Sequence, residues 1–339
     1  MSALISISKA EKSYIQSALE ATPPLREDGR SLYDFRSVLL ATGVAPLANG
    51  SARLNIGKSP EEGGGGTEVL AATKLEVETV DGADAVDGGR IVCTVACSPA
   101  AYPHLSPNAL DDLQHDYTTT LHQVISHPSL HPKNLGILRG KKAWLLNLDL
   151  VVLSDAGNVY DALFMAARAA MWDTKVPATR AVQYTAKGGN AKKPADEIEK
   201  METEGDAPSG FDTRQIPSAT DFDLPDYWDE GEVLSGRDMW PLCVTLNIHS
   251  SAYFLDASLK EEAAAPLKLI VAFAFPSTSP PRVQAVRLLG PGDVPHTRLK
   301  SLVSEAGKYA QEMYNALEVK LRDEDFRRNQ KARNRFAQR

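Results

Sequence analysis

The chain has 339 residues and a net charge of −7, with a pI near 5.6, which excludes a protein that coats nucleic acid through bulk charge. It carries no apolar run long enough to cross a membrane, and residues 1–21 mix Lys9, Glu11 and Lys12 with their apolar side chains, unlike a signal peptide. The length suits one large domain or two modest ones.

Residues 1–22 read as a short amphipathic helix whose apolar side is Ala3, Ile5, Ile7, Tyr14, Ile15 and Leu19. A dense charged cluster follows, Pro24-Leu25-Arg26-Glu27-Asp28-Gly29-Arg30, and then Tyr33-Asp34-Phe35-Arg36. Strands are expected at Val38-Leu39-Leu40, at 51–57 and at 67–80, the last two with period-2 alternation. The run Glu61-Glu62-Gly63-Gly64-Gly65-Gly66 joins them as a hairpin loop. It lacks the Gly-Lys-Ser/Thr ending of a phosphate loop.

Residues 91–97 read as a strand carrying Cys93 and Cys97 on one face. Four residues of strand span roughly 13 Å, and a disulfide needs Cα atoms within about 7 Å, so the two cannot bridge. With Cys243 in another apolar run, buried reduced thiols of an intracellular protein are expected. Residues 111–126 place Leu113, Tyr117, Leu121, Val124 and Ile125 at helical spacing. His122, His127 and His131 have a ligand-like spacing, but Pro128 and Pro132 break the helix that would align them, so no metal site is expected.

A central strand is expected over 144–153 and a helix over 161–172. Residues 187–230 are rich in Gly, Lys, Asp, Glu and Pro without apolar periodicity, the composition of a mobile linker or insertion. Strands resume at 242–248, 252–257, 269–275 and 283–288, and a long helix at 298–322. The resulting division is an N-terminal helix (1–22), a first β-α half (23–186), an acidic linker (187–235), a second β-α half (236–322) and a basic tail (323–339).

Several of these pieces, in order, resemble the RNase PH family of phosphorolytic 3′-to-5′ exoribonucleases and their inactive relatives. They are the charged entry cluster, the Gly50-Ser51-Ala52 hairpin with Thr67-Glu68-Val69-Leu70-Ala71, and Trp144-Leu145-Leu146-Asn147-Leu148-Asp149-Leu150 with Gly157-Asn158-Val159-Tyr160-Asp161-Ala162. Thr174-Lys175-Val176-Pro177 and Phe254-Leu255-Asp256-Ala257 with Glu261-Glu262 complete the set. The resemblance implies an α+β, RNase PH-like fold built of two β-α halves of the ribosomal protein S5 domain 2-like type. Within the family the chain is most similar to the non-phosphorolytic ring subunits of the RNA exosome. That implies other ring subunits, cap subunits and an associated catalytic nuclease as partners, and single-stranded RNA passing through the ring. It also implies a place in nucleus, nucleolus and cytoplasm, and no cofactor.

The family's chemistry needs a phosphate site, a general acid and cations that grip RNA. Active members carry a Gly-Thr-Arg turn at a helix N-terminus, where backbone N–H groups favour an anion. The matching turn is Gly157-Asn158-Val159-Tyr160, with no guanidinium. The general-acid position falls in the apolar neighbourhood of Leu269, and Ser106-Pro107-Asn108-Ala109 stands where paired arginines would. No catalytic residue is therefore assigned, and a non-catalytic RNA-guiding role is expected. The alternatives are a phosphorolytic enzyme with nonstandard residues and a free-standing RNA- or protein-binding module.

Glu261 and Glu262, taken as extended, would point opposite ways, so a structural or solvated role is expected for them. Asp161, after an exposed turn, reads as a helix-capping residue, with a helix-start anion as the functional alternative. Arg139, Lys141 and Lys142 are the candidate RNA contacts; a solvated loop, or a salt bridge to a neighbour, is the other reading of the same cluster.

Overall fold

The computed structural model describes residues 5–57, 65–80, 89–182, 221–224, 231–276 and 280–337, with side chains as far as residue 330. Its elements run, in chain order, α1 (Lys9–Glu20), β1 (Val38–Thr42), β2 (Gly50–Ile56), β3 (Thr67–Thr79), β4 (Arg90–Cys97), α2 (Pro107–Ile125), β5 (Gly136–Leu138) and β6 (Lys142–Ser154). Then come α3 (Val159–Asp173), β7 (Lys175–Val176), β8 (Arg180–Val182), β9 (Asp221–Asp223), β10 (Glu232–Val233), β11 (Leu242–His249), β12 (Ala252–Phe254), α4 (Leu259–Ala264), β13 (Leu267–Ala274), β14 (Arg282–Leu289) and α5 (His296–Ala337).

The first half is a sheet of order β1-β2-β3-β6-β4, antiparallel except for the parallel pair β4 and β6, with β5 also on β6. The expected hairpin is present: Gly50 lies opposite Thr73 and Ile56 opposite Thr67. The second half is an antiparallel sheet of order β12-β11-β13-β14. Helix α3 lies between the two, against β2 and β3 on one side and β11 on the other. Every one of its residues is buried, which is why its sequence is apolar without a one-sided stripe. Because of α3, the two halves share one hydrophobic core rather than owning two.

Helix α2 covers β4 with the expected face: Leu113, Tyr117, Leu121, Val124 and Ile125 are its buried residues. The three cysteines are free and buried, and burial pushes the Cys93 and Cys97 thiols up to about 12. In α1 the buried contacts are Ile15 and Leu19, while Tyr14 is 73% exposed and does not belong to the apolar side.

Two boundaries and one local conformation differ from expectation. The basic tail is not separate: α5 runs on through it to Ala337, because Asp325 and Arg328 find partners at the end of α3. The linker is not structureless to residue 235, since β9 pairs with β8 and β10 with β7. Its remainder, 187–220 and 225–230, lies outside the described residues, as does most of the 61–66 loop. Glu261 and Glu262 are not extended. They sit in α4, whose start is a capping box in which the Ser258 hydroxyl accepts the Glu261 N–H and the Glu261 carboxylate accepts the Ser258 N–H.

Candidate RNA-processing site

The turn after β6 is the one expected from the sequence to match the family's phosphate turn. Gly157 has φ +95°, and a Cβ there would lie 2.3 Å from the Ala257 carbonyl oxygen, so only glycine lets the turn approach the second half this closely. Asn158 follows in the left-handed region at φ 61°, and α3 begins at Val159.

The donors of Gly157 and Asn158 are already used. The Asn158 N–H donates to Glu262 Oε1 at 2.9 Å, and its side-chain amide donates to Asp256 Oδ1 at 3.0 Å. The Gly157 N–H donates to Asp155 at 2.7 Å. A carboxylate of the chain thus occupies the helix start that would face a phosphate, and Lys268 neutralises it at 2.6 Å. Both members of that pair are buried.

The turn's carbonyls are held as firmly. Arg36 donates to the Ala156 and Gly157 carbonyls and chelates Asp256 through Nε and Nη2 at 2.9 and 2.7 Å. Arg30 adds a third guanidinium contact to Asp256 at 2.9 Å. Burial would raise the Asp256 carboxyl, but the hydrogen bonds and charge of Arg36, with Arg30, outweigh it and hold the group below the usual carboxylate range. Arg26 grips Glu261 through two hydrogen bonds of 2.8 and 2.7 Å, a fork-to-fork pair. The charged entry cluster therefore works as a clamp between the N-terminal segment and the second half. Its arginines and their acids were visible in the sequence as complementary charges, but their pairing was not.

Val159 is 5% exposed and Tyr160 6%, so neither presents a group to a ligand. The Tyr160 hydroxyl donates to Asp116 at 2.6 Å, and Asp116 also receives Arg287 from β14. Leu269 is fully buried in β13, opposite Leu246 and Leu288, and faces the core rather than a groove. Asp161 is also fully buried rather than exposed. It accepts from the Thr245 hydroxyl at 2.7 Å, and burial pushes it up to about 7.

One titratable group near the turn was missed. Burial first, and the Glu262 charge second, push Asp155 up to about 6. Its signal in the sequence was only its position, two residues before Gly157.

The histidines do not converge. His122 accepts the Cys93 N–H, His127 caps its own short turn and His131 contacts the Gly89 carbonyl. Among the described residues no cluster of histidine, cysteine or acid could hold a metal.

The basic cluster lies elsewhere. Arg139 and Lys141 sit in the β5–β6 turn and Lys142 opens β6, whose far end leads to Gly157. Twelve strand steps separate those ends, roughly 40 Å. Lys142 pairs with Asp221 at 2.9 Å and lies 5.3 Å from the Phe222 ring centroid.

Residues 34–177 match the RNase PH family, described as 3′ exoribonuclease family, domain 1. This chain carries an RNase PH domain, and the match ends one residue after β7. The chain is similar to a protein proposed as the exosome complex exonuclease RRP42 of Dictyostelium discoideum, with 26% identity covering 78% of this chain and 83% of that one. It is 33% identical to the exosome complex component Rrp42 of Methanosarcina acetivorans, over 45% of this chain and about half of that protein, 54%. The fold is that of a chain in the Archaeoglobus fulgidus exosome with RNA bound to the active site: TM-score 0.64, 21% identity, 91% of this chain and 97% of that one. The second half, beyond the family match, is included in that likeness.

Proposed function

We propose that this protein is a non-catalytic subunit of an exosome-type ring, one that shapes the ring and guides single-stranded RNA during 3′-to-5′ processing and decay. The ring placement draws on the relatives' names and on the fold. The non-catalytic role rests on one observation: the Asn158 N–H, at the start of α3, is taken by Glu262. A phosphate entering there would have to displace a buried carboxylate already paired with Lys268. Arg36, the guanidinium bound to the same turn, is committed to Asp256.

On this reading the Arg139, Lys141 and Lys142 turn contributes phosphate contacts, its partners are RNase PH-like ring subunits, cap subunits and a separate nuclease, and its site of work is nucleus, nucleolus and cytoplasm. Co-expression with RNase PH-like subunits followed by native mass spectrometry tests the ring. A stable, monodisperse monomer with no affinity for those subunits would contradict it.

Asp155 supports a second reading, a phosphorolytic enzyme with a nonstandard acid, because a carboxyl raised to about 6 beside the turn suits proton donation. Against that reading, the described cations bound to the turn or to its carboxylate partners, Arg30, Arg36 and Lys268, are all paired.

A further inference from the structure

We propose that the strand Asp221–Asp223 is an acidic strap that covers Lys142 and competes with RNA for the basic β5–β6 turn. This rests on the reading of that turn as an RNA contact.

The strap is made of few, identifiable contacts. Asp221 accepts from Lys142 Nζ at 2.9 Å, in the position a phosphate oxygen would take. Lys142 also lies 5.3 Å from the Phe222 centroid. Phe222 packs edge-on against Trp144, 6.1 Å between centroids, and so anchors the strand over the start of β6. Three residue pairs tie β9 to β8, with Arg180 opposite Asp223. The chain thus lays a carboxylate on the cation it would offer to a polyanion.

The strap is built to be displaced. The Asp221 side chain is 48% exposed and Lys142 25%, so their ion pair is worth at most about 1 kcal/mol. RNA brings several phosphates and releases counterions, a gain that one carboxylate does not match. The strand therefore raises the threshold for binding without closing the site, and favours RNA long enough to make several contacts at once.

The test uses the full chain and a labelled single-stranded oligouridylate, with affinity read by fluorescence anisotropy across a salt series. Asp221→Asn is expected to tighten binding up to about fivefold, the release of one exposed ion pair. Phe222→Ala, which frees the strand without changing charge, is expected to act in the same direction. Lys142→Met is expected to weaken binding and to abolish the gain from Asp221→Asn when the two are combined. Asp111→Asn, an equal charge change on the exposed start of α2, controls for net charge and is expected to give a smaller effect. If Lys142→Met weakens binding but Asp221→Asn gives no gain, or the same gain with and without Lys142, the strap is wrong and the RNA contact stands. If Lys142→Met binds as the wild type does, the RNA contact fails and takes the strap with it. If Phe222→Ala weakens binding, the ring is itself an RNA contact, and the strap is again wrong.

Discussion

The Glu262 carboxylate accepts the Asn158 N–H at 2.9 Å and joins it to Lys268 at 2.6 Å, so a side chain of the second half fills the helix start contributed by the first. Two consequences follow from the burial of all three groups. The Asn158 N–H at the helix start already has a carboxylate acceptor, and the same carboxylate ties the two halves together at this turn.

Removing Glu262 should be costly for the fold. Glu262→Ala leaves the Lys268 ammonium, 6% exposed, without its partner, and the Asn158 N–H without an acceptor. Stripping one member from a buried ion pair costs about 3–5 kcal/mol. Denaturant unfolding should show a loss of that size, and Glu262→Ala/Lys268→Met should recover part of it. Equal stability of Glu262→Ala and wild type would mean that the pair does not hold the halves together.

Asp161 should make the protein less stable as pH rises from about 4 to 7. Its folded value, about 7, is above the ordinary 3.8. The folded state then holds a proton that the unfolded state has lost, so the contribution is complete below about 4 and disappears as pH rises through 7, with an upper bound of about 4 kcal/mol. Carboxyls held low, such as Asp256 and Asp116, act in the opposite sense. The measurement is therefore the stability difference between wild type and Asp161→Asn, followed by denaturation at several pH values. That difference should move against the wild type between pH 4 and 7, and a flat difference would contradict it.

Much of the fold was legible because its burial is one-sided or alternating. The α2 stripe from Leu113 to Ile125 and the β2–β3 hairpin came directly from period. Elements without a simple period were harder. Helix α3, buried on all sides, carries no stripe and is legible instead in its alanine, methionine and leucine content, whereas α4 is too short to show a period, so Glu261 and Glu262 read as extended. The Ser258-Leu259-Lys260-Glu261 capping signature was the available clue. The site was legible in position but not in wiring. Gly157 marked the turn, yet nothing local says that its donors go to Asp256 and Glu262, about 100 residues away.

The tail should prove to be part of the domain. Asp325 accepts the Trp172 indole N–H at 2.9 Å, and Arg328 pairs with Asp173, whose other hydrogen bonds come from the Gly43 and Ser51 N–H groups. Arg328→Ala leaves that largely buried carboxylate with backbone donors only, which should cost about 1–2 kcal/mol. Ending the chain after Asp323 removes both contacts and should cost more. Unchanged thermal unfolding of the shortened chain would show that the tail is an independent extension.

On the proposed function this chain guides RNA but does not cut it, and the most direct measurement is phosphate-dependent release of nucleoside diphosphates from labelled single-stranded RNA with magnesium present. The chain alone, and the chain assembled with a ring partner disabled in its own site, should both release none, and Asp155→Asn should change nothing. A phosphorolytic site lacking one preorganised donor already loses about a hundredfold or more in rate, and here the donor at the helix start is occupied and Arg36 is paired. Phosphate-dependent shortening of RNA by the chain or the disabled pair, lost on Asp155→Asn or on changing Val159 or Tyr160, would contradict the account.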